Sequence, residues 1–286
     1  MMSRSMGRTA VGVLLGLSVA AAASAAPLFE PVTILSRASA GSDPALARLL
    51  STPSTATVQE VRIDAAATAQ PQLEFELLGQ QVQAIRSRVE ALPDGGSIWY
   101  GQIRAPSDRL QKATSNGQDD PGNSLIVVRS GNTLTGSIRK DGKLYRLRPL
   151  GDRHILVAVD ETRMPADHPA DYNQLPKIPM ADQDRIGIAQ ASSGTPATIR
   201  VLVVATNAAV AAYGGNMQSL VQLAVAESNQ GYANSNVGIT MQLAGYETTS
   251  YTESGNFPPD LARFRTTSDG YMDSIHASRN STTADV

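Results

Sequence analysis

The sequence contains no cysteine. That excludes disulfide staples, thiolate metal ligands, a cysteine nucleophile and the lipid-bearing cysteine of a bacterial lipoprotein. Stability must come from packing. Histidine is nearly as scarce, with His154, His168 and His276 the whole complement. No two of them stand four residues apart, so there is no His-Glu-x-x-His, the spacing that sets two imidazoles on one helical face around zinc. A Gly-x-Ser-x-Gly elbow is missing as well, and Thr206-Asn-Ala-Ala-Val210 lacks the glycines of a dinucleotide or phosphate loop. Charge is sparse and balanced, at 17% charged residues and a formal net charge of −2. The absence of a basic stripe or a block of one sign argues against nucleic acid or an anionic membrane as a partner. Beyond the N-terminus no stretch reaches the roughly 18 apolar residues of a membrane-spanning helix.

What is present begins with an address. Arg4 and Arg8 precede an apolar stretch from Val11 to Ala23, and Ala23-Ser24-Ala25 offers an A-x-A cleavage site. This is the layout of a secretory signal peptide over residues 1–25, and it predicts a secreted or periplasmic product. The alternative, an uncleaved anchor, is disfavoured by the shortness of the run and the small residues at its end. The remaining chain suffices for about two domains.

From Ala26 to about Gln70 the sequence is rich in Ala, Ser, Thr and Pro and reads as a loose lead-in with one strand at Val58–Ile63. Leu73-Glu-Phe-Glu-Leu77 alternates strictly and predicts a half-buried strand. Gln81–Val89 is compatible with a returning strand or a helix. Ile98–Ile103, Leu125–Val128, Leu134–Ile138, Leu144–Leu147 and Ile155–Val159 are strand-like runs separated by Ser130-Gly-Asn132, Asp141-Gly142 and Gly151-Asp152. Asp-Gly between alternating runs is a hairpin signal, so an antiparallel meander is expected over residues 58–160. Pro165, Pro169, Pro176 and Pro179 then interrupt the chain, and Ala189–Pro196 reads as a linker.

After the linker the pattern changes. Ile199–Ala205 is almost wholly apolar, as in a strand covered on both faces. Met217, Leu220, Val221, Ala224 and Ser228 fall at helical spacing, with Gln218, Gln222 and Asn229 on the opposite side. Val237 to Leu243 alternates, completing a βαβ unit. Asp260–Asn280 carries Leu261, Phe264, Met272 and Ile275 at helix-like intervals, interrupted by Gly270.

Side-chain chemistry by itself nominates no active site. His168 sits in a Pro-bounded turn and reads as a surface residue, and His154 follows a hairpin turn and reads as a strand-edge residue. His276 lies three residues after Asp273, which favours a side-chain hydrogen bond over metal binding. Glu247 and Glu253 could act as acid and base only if brought together, and such pairs are usually solvated. Gly214-Gly215 reads as a helix-entry turn.

Two stretches nevertheless carry a resemblance. Gly136–His154, continuing through Val159-Asp-Glu161 to Pro165, resembles the propeptide of bacterial secreted zinc metallopeptidases of the reprolysin-like metzincin type. Val201–Asn207, Ala226-Glu-Ser-Asn229-Gln-Gly-Tyr232-Ala-Asn234, Tyr251-Thr-Glu253 and Asp269-Gly-Tyr-Met-Asp273-Ser-Ile-His276 resemble the opening of the catalytic domain of peptidyl-Asp metalloendopeptidases. The resemblance implies an α+β protein. An all-β antiparallel propeptide over residues 26–188 would be joined by a linker at 189–196 to the first βαβ-α part of an α/β metzincin catalytic domain over 197–286. It further implies zinc as cofactor in the complete family member and protein or peptide substrates. The family's zinc ligands and general base lie in His-Glu-x-x-His-x-x-Gly-x-x-His, after a third strand that Ala284-Asp-Val286 would begin. That motif does not occur in this sequence, so no catalytic, cofactor-binding or metal residue is assigned and no zinc binding by this chain is expected. Residues 197–286 alone are expected to be unstable, and neither Asp167 nor His168 is assigned as a zinc-silencing ligand. The competing reading is a non-catalytic secreted β-domain protein that binds or inhibits a peptidase.

Overall fold

The computed structural model describes residues 26–41, 43–104, 120–165 and 197–286. The expected signal peptide, the linker, Asp167 and His168 lie outside these residues.

Nine strands close into a barrel: β1 (Ala26–Leu35), β2 (Thr55–Ile63), β3 (Gln72–Leu77), β4 (Gln80–Ala91), β5 (Ser97–Ile103), β6 (Ser124–Ser130), β7 (Thr133–Lys140), β8 (Lys143–Leu150) and β9 (Arg153–Val159). From β3 to β9 each strand pairs antiparallel with the next in sequence, β9 returns to β2, and β1 pairs parallel with β3 to close the ring. The β7–β8 turn has positive φ at both Asp141 (51°) and Gly142 (79°), the twist that keeps two flanking strands in register. Gln80–Ala91 is a strand throughout, because β3 pairs with its first half, Gln80 to Ile85, and β5 with its second, Ala84 to Ala91.

The meander is therefore larger than its sequence suggested, and the segment 26–70 is not a loose lead-in. It supplies β1, two short helices α1 (Arg37–Ala40) and α2 (Pro44–Ser51), and β2. Pro27 and Pro31 conceal β1, since proline donates no ladder hydrogen bond and argues against a paired strand. The structure absorbs them with register shifts between Pro27 and Phe29 on one side and Pro31 and Thr33 on the other.

Alternation fills the barrel. Leu73, Phe75 and Leu77 of β3, Leu125 and Val127 of β6, and Leu134, Ile138, Leu147 and Leu156 share one core with Leu28, Phe29 and Trp99. Trp99 is 1% exposed, and its Nε1–H donates to the Gln70 carbonyl at 3.1 Å. Two residues further along the same face, Gly101 leaves room for the indole: a Cβ there would lie 2.3 Å from the Trp99 ring and 2.5 Å from the Ile85 carbonyl oxygen. Gly101→Ala is expected to cost about 1–3 kcal/mol by overpacking. An unchanged urea midpoint would contradict it.

The outer surface explains why some strands read as unbroken apolar runs. On β6, Ile126 and Val128 point outward, as do Ile98 and Tyr100 of β5, and both pairs lie beneath a helix of the later chain. On β9, Ile155 and Val157 point outward under Leu46 of α2. Asp43 caps α2, accepting from the Ala45 and Leu46 amides at 3.1 and 3.0 Å, and its other oxygen accepts from Arg153 at 2.8 Å.

Residues 197–286 form β10 (Ala197–Thr206), α3 (Asn207–Tyr213), α4 (Met217–Asn234), β11 (Ile239–Thr249), α5 (Phe257–Arg265) and α6 (Ser274–Ser281). The strands β10 and β11 pair in parallel, with α3 and α4 in the crossover. Gly214 (φ 67°) ends α3, and the Asn216 side chain caps α4 by accepting from Ser219 N–H at 3.0 Å. Beyond α6, Asp285 N–H donates to the Arg200 carbonyl at 2.7 Å, and Leu202 N–H to the Val286 carbonyl at 2.8 Å. These residues run along the edge of β10 opposite β11.

Three expectations change here. First, β10 is not covered on both faces, and only Val201 is buried. Leu202 and Val204 instead floor a cleft of about 740 Å³ with Phe264, Ile275 and Val286. Second, α4 is rotated from its sequence pattern. Its buried residues are Ser219, Val221, Gln222, Leu223 and Ala226, while Ala224 is exposed. Third, the pattern at Asp260–Asn280 makes two helices. Between them Ser268, Gly270 and Met272 take positive φ, and the Asp273 carboxylate accepts from the amides of Ser268, Asp269 and Gly270 at 2.8, 3.2 and 3.1 Å. A carboxylate that satisfies three turn amides holds the chain out of the helix.

Candidate functional site

His154 is not an edge residue. It lies on β9 between β2 and β8, opposite Val61 and Pro149, and its Nε2 accepts from Leu134 N–H at 3.2 Å. That bond fixes the neutral tautomer with the proton on Nδ1. Burial pushes the imidazole pKa down. The unfolded chain then binds a proton that the folded one refuses, so this part of stability is present above the ordinary histidine value of about 6.5. It is lost as pH falls from there toward the folded value. His154→Gln should flatten that acid-side loss, as read from urea midpoints at pH 7 and pH 5. An equally steep loss in the variant would exclude His154 as its source.

His276 does not bond to the Asp273 side chain, whose carboxylate is occupied by the three amides. Its Nε2 faces the Thr266 carbonyl at 3.2 Å, which requires the proton on Nε2, and its backbone N–H donates to the Asp273 carbonyl. Glu253 accepts a short hydrogen bond from the Thr206 hydroxyl, and that hydroxyl caps α3 by accepting from Ala209 N–H at 3.0 Å. Glu247 stands on β11 opposite Val204. The two glutamates are thus on a strand and at a helix cap, with no bond between them. Gly214-Gly215 forms the α3–α4 turn, as read from the sequence.

Among the described residues, no group of three or more His, Cys, Asp or Glu is placed to hold a metal ion. His154 and His276 each spend Nε2 on a backbone group. The described residues therefore do not fit a zinc centre, and no chemical step is assigned through one.

What the structure does assemble is structural polar chemistry that the sequence left unmarked. Tyr251 O–H donates to Asp260 at 2.5 Å, Arg263 donates to the Tyr251 hydroxyl at 3.0 Å, and the Arg263 guanidinium lies 4.3 Å from the Tyr271 ring centre. The Tyr251 hydroxyl and the Ser254 amide hold the Asp260 carboxyl below the usual range, and Asp260 in turn pushes the Tyr251 phenol up. This cluster pins the segment after β11 onto α5. On α4, Asn229 donates to the Met241 carbonyl at 2.8 Å and accepts from Met241 N–H at 2.6 Å. Gln222 donates to Asp94 at 3.0 Å. Both fall on the polar side of the helix in the sequence pattern. The signal that could have marked Asn229 was its place in the Ala226–Asn234 stretch that carries the resemblance. Among the described residues no helix is long and apolar enough to cross a membrane.

A family profile described as Metallo-peptidase family M12 (Reprolysin_5) matches residues 195–286, the span from β10 through α6 to Val286. Proteins named peptidyl-Asp metalloendopeptidase match the whole chain. The one from Stenotrophomonas maltophilia strain R551-3 is 85% identical over 286 residues, covering 100% of this chain and 69% of the relative. The one from Xanthomonas campestris pv. campestris is 60% identical over 292 residues, covering 100% and 70%. A solved structure, metalloproteinase-II from Bacteroides fragilis, overlaps 65% of this chain and 54% of its own at 8% identity and a TM-score of 0.28. The sequence matches define the class, a metallopeptidase. More narrowly, the chain belongs to the peptidyl-Asp metalloendopeptidase family.

Proposed function

We propose that the chain comprises the export signal (1–25), propeptide (26–188), linker (189–196) and first catalytic-domain elements (197–286) of a secreted zinc metalloendopeptidase that cuts proteins at acidic residues. The observation that carries this reading is the 85% identity across the whole chain to a peptidyl-Asp metalloendopeptidase, with the M12 match confined to residues 195–286. The non-catalytic alternative is not favoured, because relatives matching the full length are named as endopeptidases. In this reading, β10, β11 and α4 form the frame of the catalytic domain, and residues 1–286 contribute no zinc ligand.

A hybrid tests it. This chain would replace the matched segment of the S. maltophilia relative, and the product would be assayed on a peptide containing one aspartate. Cleavage at that aspartate, abolished by a zinc chelator, is expected. A hybrid that is exported and folded but inactive, or that cuts without regard to aspartate, would overturn the proposal. The 286-residue chain alone should retain no zinc at unit stoichiometry in equilibrium dialysis.

A further inference from the structure

The barrel and the later chain meet through a contact that is built like a docking site. Its centre is apolar: Leu223 and Ala226, one turn apart on α4, sit on Ile98 and Tyr100 of β5 and Ile126 and Val128 of β6, and all six are buried. Its rim is polar, with Gln222 donating to Asp94 at 3.0 Å and Arg88 donating to Gln230 at 3.0 Å. Clefts of about 440 and 360 Å³ flank α4 on its two sides. An apolar centre inside a polar rim is the anatomy of surfaces that associate after folding separately.

A second anchor lies at the α3–α4 turn. Gly151 N–H donates to the Gly214 carbonyl at 2.9 Å. The Arg148 guanidinium stacks 3.7 Å from the centre of the Tyr213 ring and donates to the Tyr213 carbonyl. The backbones approach closely enough that a Cβ on Gly214 would lie 2.9 Å from the Ala45 Cβ, and one on Gly215 2.6 Å from the Pro149 carbonyl oxygen. Anchors on two helices joined by a short turn act together, so losing one does not release the other.

We infer that the barrel is a non-covalent clamp on the α3–α4 face, which stays bound after the chain is cut between Pro165 and Ala197. The partner it fits is this chain's own α4, recognised through the Leu223–Ala226 ridge and the Tyr213–Gly215 turn. The inference rests on the interface alone and holds whether or not the peptidase reading does.

The test uses the full chain with a site-specific protease sequence inserted within residues 189–196. After cutting, the two pieces should co-elute in size exclusion at micromolar concentration. Separation of correctly folded pieces would overturn the inference. Leu223→Asp should weaken retention by roughly 30-fold or more, as expected for a central apolar contact. Ala224→Asp, on the exposed side of the same helix, should leave it unchanged. If Leu223→Asp fails to fold, the pair Asp94→Ala and Arg148→Ala should speed dissociation of the cut complex. Equal effects of the interface and Ala224 variants would also overturn the clamp.

Discussion

Trp99→Ala is expected to lower the stability of the barrel by about 3–5 kcal/mol, the range for removing a large buried aromatic side chain. Trp99 lies between Gly101, which has no side chain to close the gap, and the ring of leucines from β3, β6, β7 and β8. Collapse around the void would require a closed sheet to change its curvature, so relaxation should be small. The substitution also strips the Gln70 carbonyl of the indole N–H donor. Against a typical domain stability of about 5–15 kcal/mol, such a loss is a large fraction of the whole. Because Trp99 is the sole tryptophan, the urea transition has to be followed by circular dichroism and not by indole fluorescence. Trp99→Phe keeps an aromatic ring but loses the hydrogen bond, and should fall between the two. A loss under about 1 kcal/mol for the alanine variant would mean that the barrel repacks, contrary to a core that sets its closure.

How far the sequence carried the fold depended on whether the deciding contacts were local. Strands β6 to β9 are readable because the turns that join them carry residues at positive φ, Gly131, Asp141-Gly142 and Gly151, and because alternation resumes on the far side. β1 was unreadable for the opposite reason. Its prolines argue against a strand, and what makes it one is pairing with β2 and with β3, whose partner residues lie far later in sequence, such as Leu35 with Val58 and Phe29 with Phe75. The same distinction explains α4. Helical periodicity assumes one wet face and one dry face, but α4 has β11 on one side and β5–β6 on another. Gln222 is therefore buried although polar, and Ala224 is exposed although apolar. Of the candidate site, residue chemistry left Glu247 and Glu253 unassigned, and the structure places them on a strand and at a helix cap. It could not foresee that Asp273 would stop a helix by collecting three amides. The family was legible only through particular stretches, among them those around Asn229 and Asp273. In both, the structure gives the polar side chain a backbone to hold.

Asn229→Leu should show the consequence most directly, with an expected loss of about 2–3 kcal/mol concentrated in residues 197–286. Among the described residues β11 pairs with a strand on its β10 edge only, so its other edge presents backbone groups without a strand partner. The Asn229 carboxamide is planar, with a donor and an acceptor side by side. It meets Met241 as a neighbouring strand residue would, at 2.8 Å to the carbonyl and 2.6 Å from the amide. Leucine matches its volume and offers neither group. Each buried backbone group left without a partner costs about 1–3 kcal/mol, and Met241 is half-buried, so the total falls below the full sum for two. Asn229→Asp can still accept from Met241 N–H but cannot donate to its carbonyl, and should lie between leucine and wild type. Amide exchange separates this account from a chemical role for Asn229. If the side chain acts as a surrogate strand, the Met241 amide loses protection in the leucine variant while the Val127 amide inside the barrel keeps it. If Asn229 serves only chemistry, neither amide moves.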